Sequence, residues 1–125
     1  MPRTAVPYTP FVPNGALADP AGTTIDSTLV TNGVVINNVD PERTLIRVTN
    51  SAGTDKVVTV KAGTGNQAWM GGQGDSATTV AATTGKQFLG PFTSARFQQK
   101  GSKLYVDFAS GTTGTITVFK LPKAY

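Results

Sequence analysis

Seven carboxylates and no histidine or cysteine bound the chemistry open to this 125-residue chain. The acids are Asp19, Asp26, Asp40, Glu42, Asp55, Asp75 and Asp107. Paired carboxylates can do general acid–base work, but the commonest general base, histidine, is missing. The lack of cysteine and histidine also removes thiol chemistry, disulfides and the usual transition-metal ligands. Most of the acids stand beside Gly, Pro, Asn or Ser, the setting of Asx turns and caps rather than of a catalytic pair. The expectation is therefore a protein that is not an enzyme and that holds no cofactor and no metal.

One stretch imitates a nucleotide site. Gly63-Thr64-Gly65-Asn66-Gln67-Ala68 follows a strand-like run and matches the loose dinucleotide fingerprint. That fingerprint requires a helix to begin inside it, with its N-terminus facing the pyrophosphate. Here Trp69-Met70-Gly71-Gly72 follows, a poor helix start, and the Lys of a phosphate-binding P-loop is absent. The plainer reading is a long glycine-rich connection that delivers Trp69 to the core or to an interface.

The net charge of +4 is unevenly placed. Residues 1–75 carry five basic residues against six acidic ones, whereas residues 76–125 carry six against Asp107 alone. A basic half suits an acidic partner, either nucleic acid or an acidic protein surface; it equally suits a solvated lysine surface. No stretch is long and apolar enough to span a bilayer, so no membrane partner is expected. Met1-Pro2-Arg3-Thr4 lacks the apolar run of a signal peptide, which places the chain in a cytoplasm or in a particle assembled there.

The elements that must position these residues are strands. Thr44–Thr49 and Lys56–Lys61 are rich in β-branched residues and flank a loop of turn formers, the pattern of a central β-hairpin. Alternation puts Ile46 and Val48 on one face, and Val58 and Val60 on one face of the returning strand. Before the hairpin, Ile25–Val30 and Val34–Ile36 read as short strands around the Asn32-Gly33 turn. After it come Ser76–Ala82, Lys86–Leu89 beyond a short Thr83–Gly85 hairpin loop, Ala95–Gln98, Lys103–Phe108 and Thr115–Leu121. The predicted inward residues are Ile46, Val48, Val58, Val60, Phe88, Phe97, Leu104, Val106, Phe108, Ile116 and Val118. Tyr105 and Phe119 are placed on the outer faces.

Residues 1–22 differ from the rest. Pro2, Pro7, Pro10, Pro13 and Pro20 recur too often for a helix or a central strand, yet Val6, Tyr8, Phe11, Val12 and Leu17 lie between them. This predicts an extended arm that packs on its own domain or on a neighbour. As an arm, its removal should leave the remainder folded. The fold class expected is all-β: a single β-sandwich or barrel-like domain of about eight short antiparallel strands over residues 23–125, with the extended Pro-rich N-terminal arm over residues 1–22.

From Arg43 onward the order of segments is familiar. Thr44-Leu45-Ile46-Arg47-Val48-Thr49-Asn50, Lys56–Gly63, Gly72-Gln73-Gly74-Asp75, Gly90–Phe97 and Gly111–Thr117 together resemble the head decoration, or capsid cement, proteins of tailed actinobacterial phages. The resemblance covers about residues 43–121. It implies a structural virion protein that sits on the outside of an icosahedral capsid, assembled in the bacterial host cytoplasm, and that cements neighbouring capsomers against internal DNA pressure. It further implies the major capsid protein as partner and self-association, as a homotrimer. Candidate capsid or intersubunit contacts are Tyr8, Phe11 and Val12 from the arm, Trp69 and Met70 from the glycine-rich loop, and Arg96 and Lys103 facing acidic capsid surface. Each has a plainer alternative, in its own core or as solvated charge.

Two other functions compete. A carbohydrate- or receptor-binding β-sandwich of a phage tail or fibre would use Trp69, Tyr105 and Tyr125 to stack on sugar rings. A single-stranded nucleic-acid binder would use the basic half with Phe97, Tyr105 and Phe119. Basic and aromatic residues do not interleave on one strand, so nucleic acid ranks below the other two.

Overall fold

The computed structural model describes residues 3–122. Ten strands and two short helices are present among the described residues. In chain order they are β1 (Thr4–Ala5), β2 (Tyr8–Pro10), β3 (Thr23–Ile25), α1 (Ser27–Asn32), β4 (Val34–Ile36), β5 (Thr44–Asn50), β6 (Lys56–Val60), β7 (Ser76–Val80), β8 (Gly85–Leu89), α2 (Ser94–Phe97), β9 (Leu104–Phe108) and β10 (Gly114–Lys120). The chain is all-β in class, built from two mixed sheets that do not close into a barrel.

The first sheet runs β1-β4-β9-β6-β7 and the second β2-β10-β5-β8, with β3 also paired to β10. Most pairings are antiparallel, but β1 lies parallel to β4 and β2 parallel to β10. β2 and β3 share one edge of β10, end to end: Tyr8 lies opposite Val118 and Thr23 opposite Ile116. The first described residues are thus strands of both sheets, with the chain crossing between them at Val6 and Pro7.

Alternating residues explain the layering. In β5, Thr44, Ile46, Val48 and Asn50 are buried while Leu45, Arg47 and Thr49 are not. Val58 and Val60, Leu104, Val106 and Phe108, and Ile116 and Val118 are buried from the facing strands and join one apolar cluster between the sheets. Period-2 burial of β-branched residues is what a pleated strand with one covered face requires.

The expected central hairpin does not form. β5 belongs to the second sheet and β6 to the first, so loop 51–55 turns a corner between layers. Asn50 holds this corner. It is 2% exposed, and its Nδ2 donates to the carbonyls of Thr54 (3.1 Å), Val80 (3.0 Å) and Ala81 (3.2 Å). Its Oδ1 accepts from the amide of Ala52 at 2.9 Å. The predicted Thr83–Gly85 hairpin is likewise a crossing, from β7 in one sheet to β8 in the other. At Gly114 (φ +130°) a Cβ would collide with the Thr49 carbonyl, so only glycine lets β10 start this close to β5.

Two predicted strands are helical. The stretch Ile25–Val30 ends its strand at Ile25 and turns into α1, capped by Asp26, whose Oδ1 accepts from the Leu29 amide at 3.0 Å. Ala95–Gln98 is α2, which buries Phe97 against Phe92 with ring centroids 5.4 Å apart. The predicted inward face holds for its members except Phe88, which is 60% exposed. Phe88 pairs with the outward Arg47, and the next residue, Leu89, pairs with the inward Ile46 and is the buried one.

Candidate interaction surface

Trp69 is the most exposed large apolar side chain among the described residues, at 77%. It stands on the connection from β6 to β7, whose ends are held close because Val60 pairs with Ser76. The connection contains two single 3-10 turns, Asn66–Ala68 and Gly71–Gln73, and packs on α2. Backbone bonds fix it there: the Gly63 amide donates to the Arg96 carbonyl (2.7 Å) and the Met70 amide to the Ala95 carbonyl (2.8 Å). A Cβ on Gly63 would strike the Gln98 carbonyl, so this glycine serves close packing, and the helix that a pyrophosphate site needs is replaced by one 3-10 turn.

Three side chains brace the base of the loop. Arg96 donates through Nε to the Gly74 carbonyl (3.0 Å) and through its guanidinium to the Asp75 carbonyl (3.3 Å), with its own guanidinium carbon 4.6 Å from the Phe97 ring centroid. Asp75 accepts from the Ala62 amide at 2.6 Å and from Lys61 Nζ at 2.8 Å. The Ala62 amide, then the Lys61 ammonium, hold the Asp75 carboxyl below the ordinary carboxylate range. The bond to Asp75 raises the Lys61 ammonium above its usual value. The result is a hydrogen-bonded base for the loop that carries the solvent-facing indole.

The outer face of the second sheet is a separate apolar area. Phe119 and Tyr105 lie on outer faces, as read from alternation, but neither is open. Phe119 is 4% exposed because Phe11 stacks on it, centroids 4.9 Å apart and rings 19° from parallel. Arg47 lies over the same ring and pairs with Asp19 at 2.6 Å. Tyr105 carries the Arg3 guanidinium at 4.3 Å from its ring centroid, and Arg3 pairs with Asp107 at 2.6 Å. Phe11, Leu17, Asp19, Pro20, Arg47, Phe88 and Phe119 line a shallow groove of about 200 Å³ here.

The sequence-predicted contacts therefore divide. Trp69 is open, Val12 is 49% exposed, and Met70 is half-buried beside Trp69. Tyr8 is engaged in its own fold: its hydroxyl lies 2.9 Å from Thr44 Oγ1 and accepts from the Asp40 amide at 3.3 Å. Phe11 is committed to Phe119. Arg96 is engaged by the loop rather than free for a partner. Lys103 is half-buried in the bridge that pairs it with Gln99, and makes no ion pair among the described residues. Trp69, Tyr105 and Tyr125 form no described stacking trio: Tyr105 is covered by Arg3, and Tyr125 lies outside the described residues. Of the nucleic-acid trio, Phe97 and Phe119 are buried. Sequence reasoning missed Phe88 and Asp75. Asp75 had a usable signal, since Gly74-Asp75-Ser76 closes a loop whose other end carries Lys61.

Among the described residues no helix is long and apolar enough to cross a membrane, and no cluster of three or more metal-ligating side chains converges. No family model matches the chain, and neither a curated protein nor a solved structure matches it.

Proposed function

We propose that the chain is a structural virion protein that binds the outside of an icosahedral phage capsid and cements neighbouring capsomers, with the major capsid protein as its partner and a homotrimer as its working form. The observation that carries this reading is Trp69, 77% exposed on a loop braced at its base. A large aromatic presented to solvent from a loop with a hydrogen-bonded base is the kind of residue that anchors an interface. The resemblance over residues 43–121 supplies the partner. Lys100 and Lys103 stand on the turn after Gln98 and Gln99, which touch the loop through the Gln67–Gln98 and Gln99–Ala62 bonds (3.2 and 2.8 Å). Positive charge on a turn bonded to this loop suits an acidic shell surface. The Pro-rich segment to residue 22 adds Val12 and the edge of the Phe88 groove as a second contact area.

Quantitative mass spectrometry of purified virions tests the proposal. A copy number close to that of the major shell protein is expected. A handful of copies would replace it with the tail- or fibre-borne receptor-binding reading, which the same open Trp69 favours through sugar stacking and which a glycan array would then examine. Absence from the virion overturns both. Within the cement reading, Trp69→Ala should shift thermal unfolding by no more than about 0.5 kcal/mol while lowering capsid occupancy at least tenfold in a binding titration.

A further inference from the structure

We infer that Asp75 is a proton-sensitive clasp that sets the position of the Trp69 loop; the inference builds on the reading of Trp69 as the contact residue. The loop leaves β6 after Val60 and re-enters at Ser76, directly opposite. Across that mouth Asp75 is the side chain that ties the two ends together, one carboxylate oxygen to the Ala62 amide and the other to Lys61 Nζ. The remaining ties, the Val60–Ser76 pairing and the bonds from Gly63 and Met70 to α2, from Gln67 to Gln98, from Gln99 to Ala62 and from Arg96 to Gly74 and Asp75, use backbone groups, side-chain amides and a guanidinium, none of which changes charge between pH 2 and pH 10. The carboxylate is the titratable member of the set.

The charged groups facing it come from every packed element. Lys61 extends from the end of β6, and Arg96 comes from α2. Asp107 of β9 and Arg3 beside β1 act on Lys61 with opposite signs. β7 itself, Ser76–Val80, carries no charged residue. Protonation removes the charge that strengthens both Asp75 bonds and leaves those of Arg96 in place. The mouth of the loop then loosens while α2 stays folded, and the indole loses its fixed presentation. Because the folded carboxyl titrates below its unfolded value, the clasp is fully closed above about pH 4 and opens as the pH falls through the depressed value. Preorganisation of Trp69, and with it partner affinity, should follow the same acid limb.

Trp69 is the single tryptophan of the chain, so its fluorescence anisotropy reads the loop directly in the full-length protein. In the wild type the anisotropy should be constant from neutral pH to about pH 4 and then fall, with far-UV circular dichroism unchanged over the same limb. Asp75→Ala should show the low anisotropy already at pH 7 with a flat acid profile, and hydrogen exchange at the Ala62 amide should accelerate roughly tenfold. Lys61→Gln keeps the Ala62 bond, so it should retain the acid limb with its midpoint moved toward higher pH. If Asp75→Ala matches the wild type at pH 7, Arg96 and α2 hold the loop alone and the inference is overturned. If Asp75→Ala fails to fold, the Lys61→Gln midpoint decides, and an unmoved midpoint overturns the inference. These measurements use the isolated chain, so a working clasp in a protein absent from virions would sink the cement reading and spare this one. A cement protein with a pH-independent loop would do the reverse.

Discussion

Replacing Asn50 with leucine keeps the side chain's approximate size and strands the carbonyls of Val80 and Ala81 and the amide of Ala52 at a corner between the sheets. The buried Val80 carbonyl left unpaired costs its desolvation, while the part-buried Ala81 and Ala52 groups can turn to water, so urea or thermal unfolding should show a loss of about 1–3 kcal/mol. This residue was legible only as one of several turn formers, because composition gives no sign of which residue of Asn50-Ser51-Ala52-Gly53-Thr54-Asp55 points inward. Alternation did place the inward residues of β5, β6, β9 and β10, where apolar residues recur at i and i+2 (Ile46 and Val48, Val58 and Val60, Leu104, Val106 and Phe108, Ile116 and Val118) and so fix the phase. It slipped by one in Gly85-Lys86-Gln87-Phe88-Leu89, where two apolar residues are adjacent and either phase buries one of them. Pairing with Arg47 decides the phase, and that pairing lies 41 positions away along the chain. For Trp69 the glycine-rich surroundings marked a connection but not its destination; the structure places the side chain in solvent and not in the core.

Turn residues announce that a strand ends and say little about where the next one goes. Asn-Ser-Ala-Gly-Thr-Asp between two apolar runs is compatible with a hairpin and with a corner between layers, and here the corner is found. The two helices escaped the sequence because six and four residues are too few to establish a period; Asp26 ahead of Ser-Thr-Leu was the available signal for the first. The proline spacing of residues 1–22 was read as an extended arm; the structure shows two short strands there, Thr4–Ala5 and Tyr8–Pro10, each paired into a sheet of the body. Their placement reverses the outcome expected for truncation. Deleting residues 1–20 removes a strand from each sheet, extracts Val6 from the core and uncovers Phe119. Burial of one such apolar side chain is worth about 1.5–3 kcal/mol. The truncated chain should therefore lose several kcal/mol in denaturant unfolding, with partial or complete unfolding at 37 °C; an unchanged midpoint would mean that these strands contribute nothing to the body.

At the scale of the whole molecule, the strands alternate between layers so often that no contiguous segment owns a sheet. β6 and β7 are the sole pair of sequence-neighbouring strands bonded to each other among those described. Thermal melts followed by far-UV and near-UV circular dichroism should therefore superimpose as one transition, since neither sheet can keep its partners once the other is lost. Folding should be slow, in the millisecond-to-second range of domains dominated by non-local pairing. The all-β class was open to the sequence; the choice between two open sheets and a barrel, and the interleaved order, were not, because both depend on distant partners. β10 lies between β5 on one side and β2 and β3 on the other, yet follows all three in the chain. During synthesis on the ribosome those three strands emerge and wait with their inner edge unoccupied until residues 114–120 have been made. A nascent chain that stalls before that point keeps only the β5–β8 pair of the second sheet, with β2 and β3 unpaired, and becomes a substrate for chaperones and proteases. Translation thus acts as its own inspection: only a polypeptide read through β10 yields a folded body.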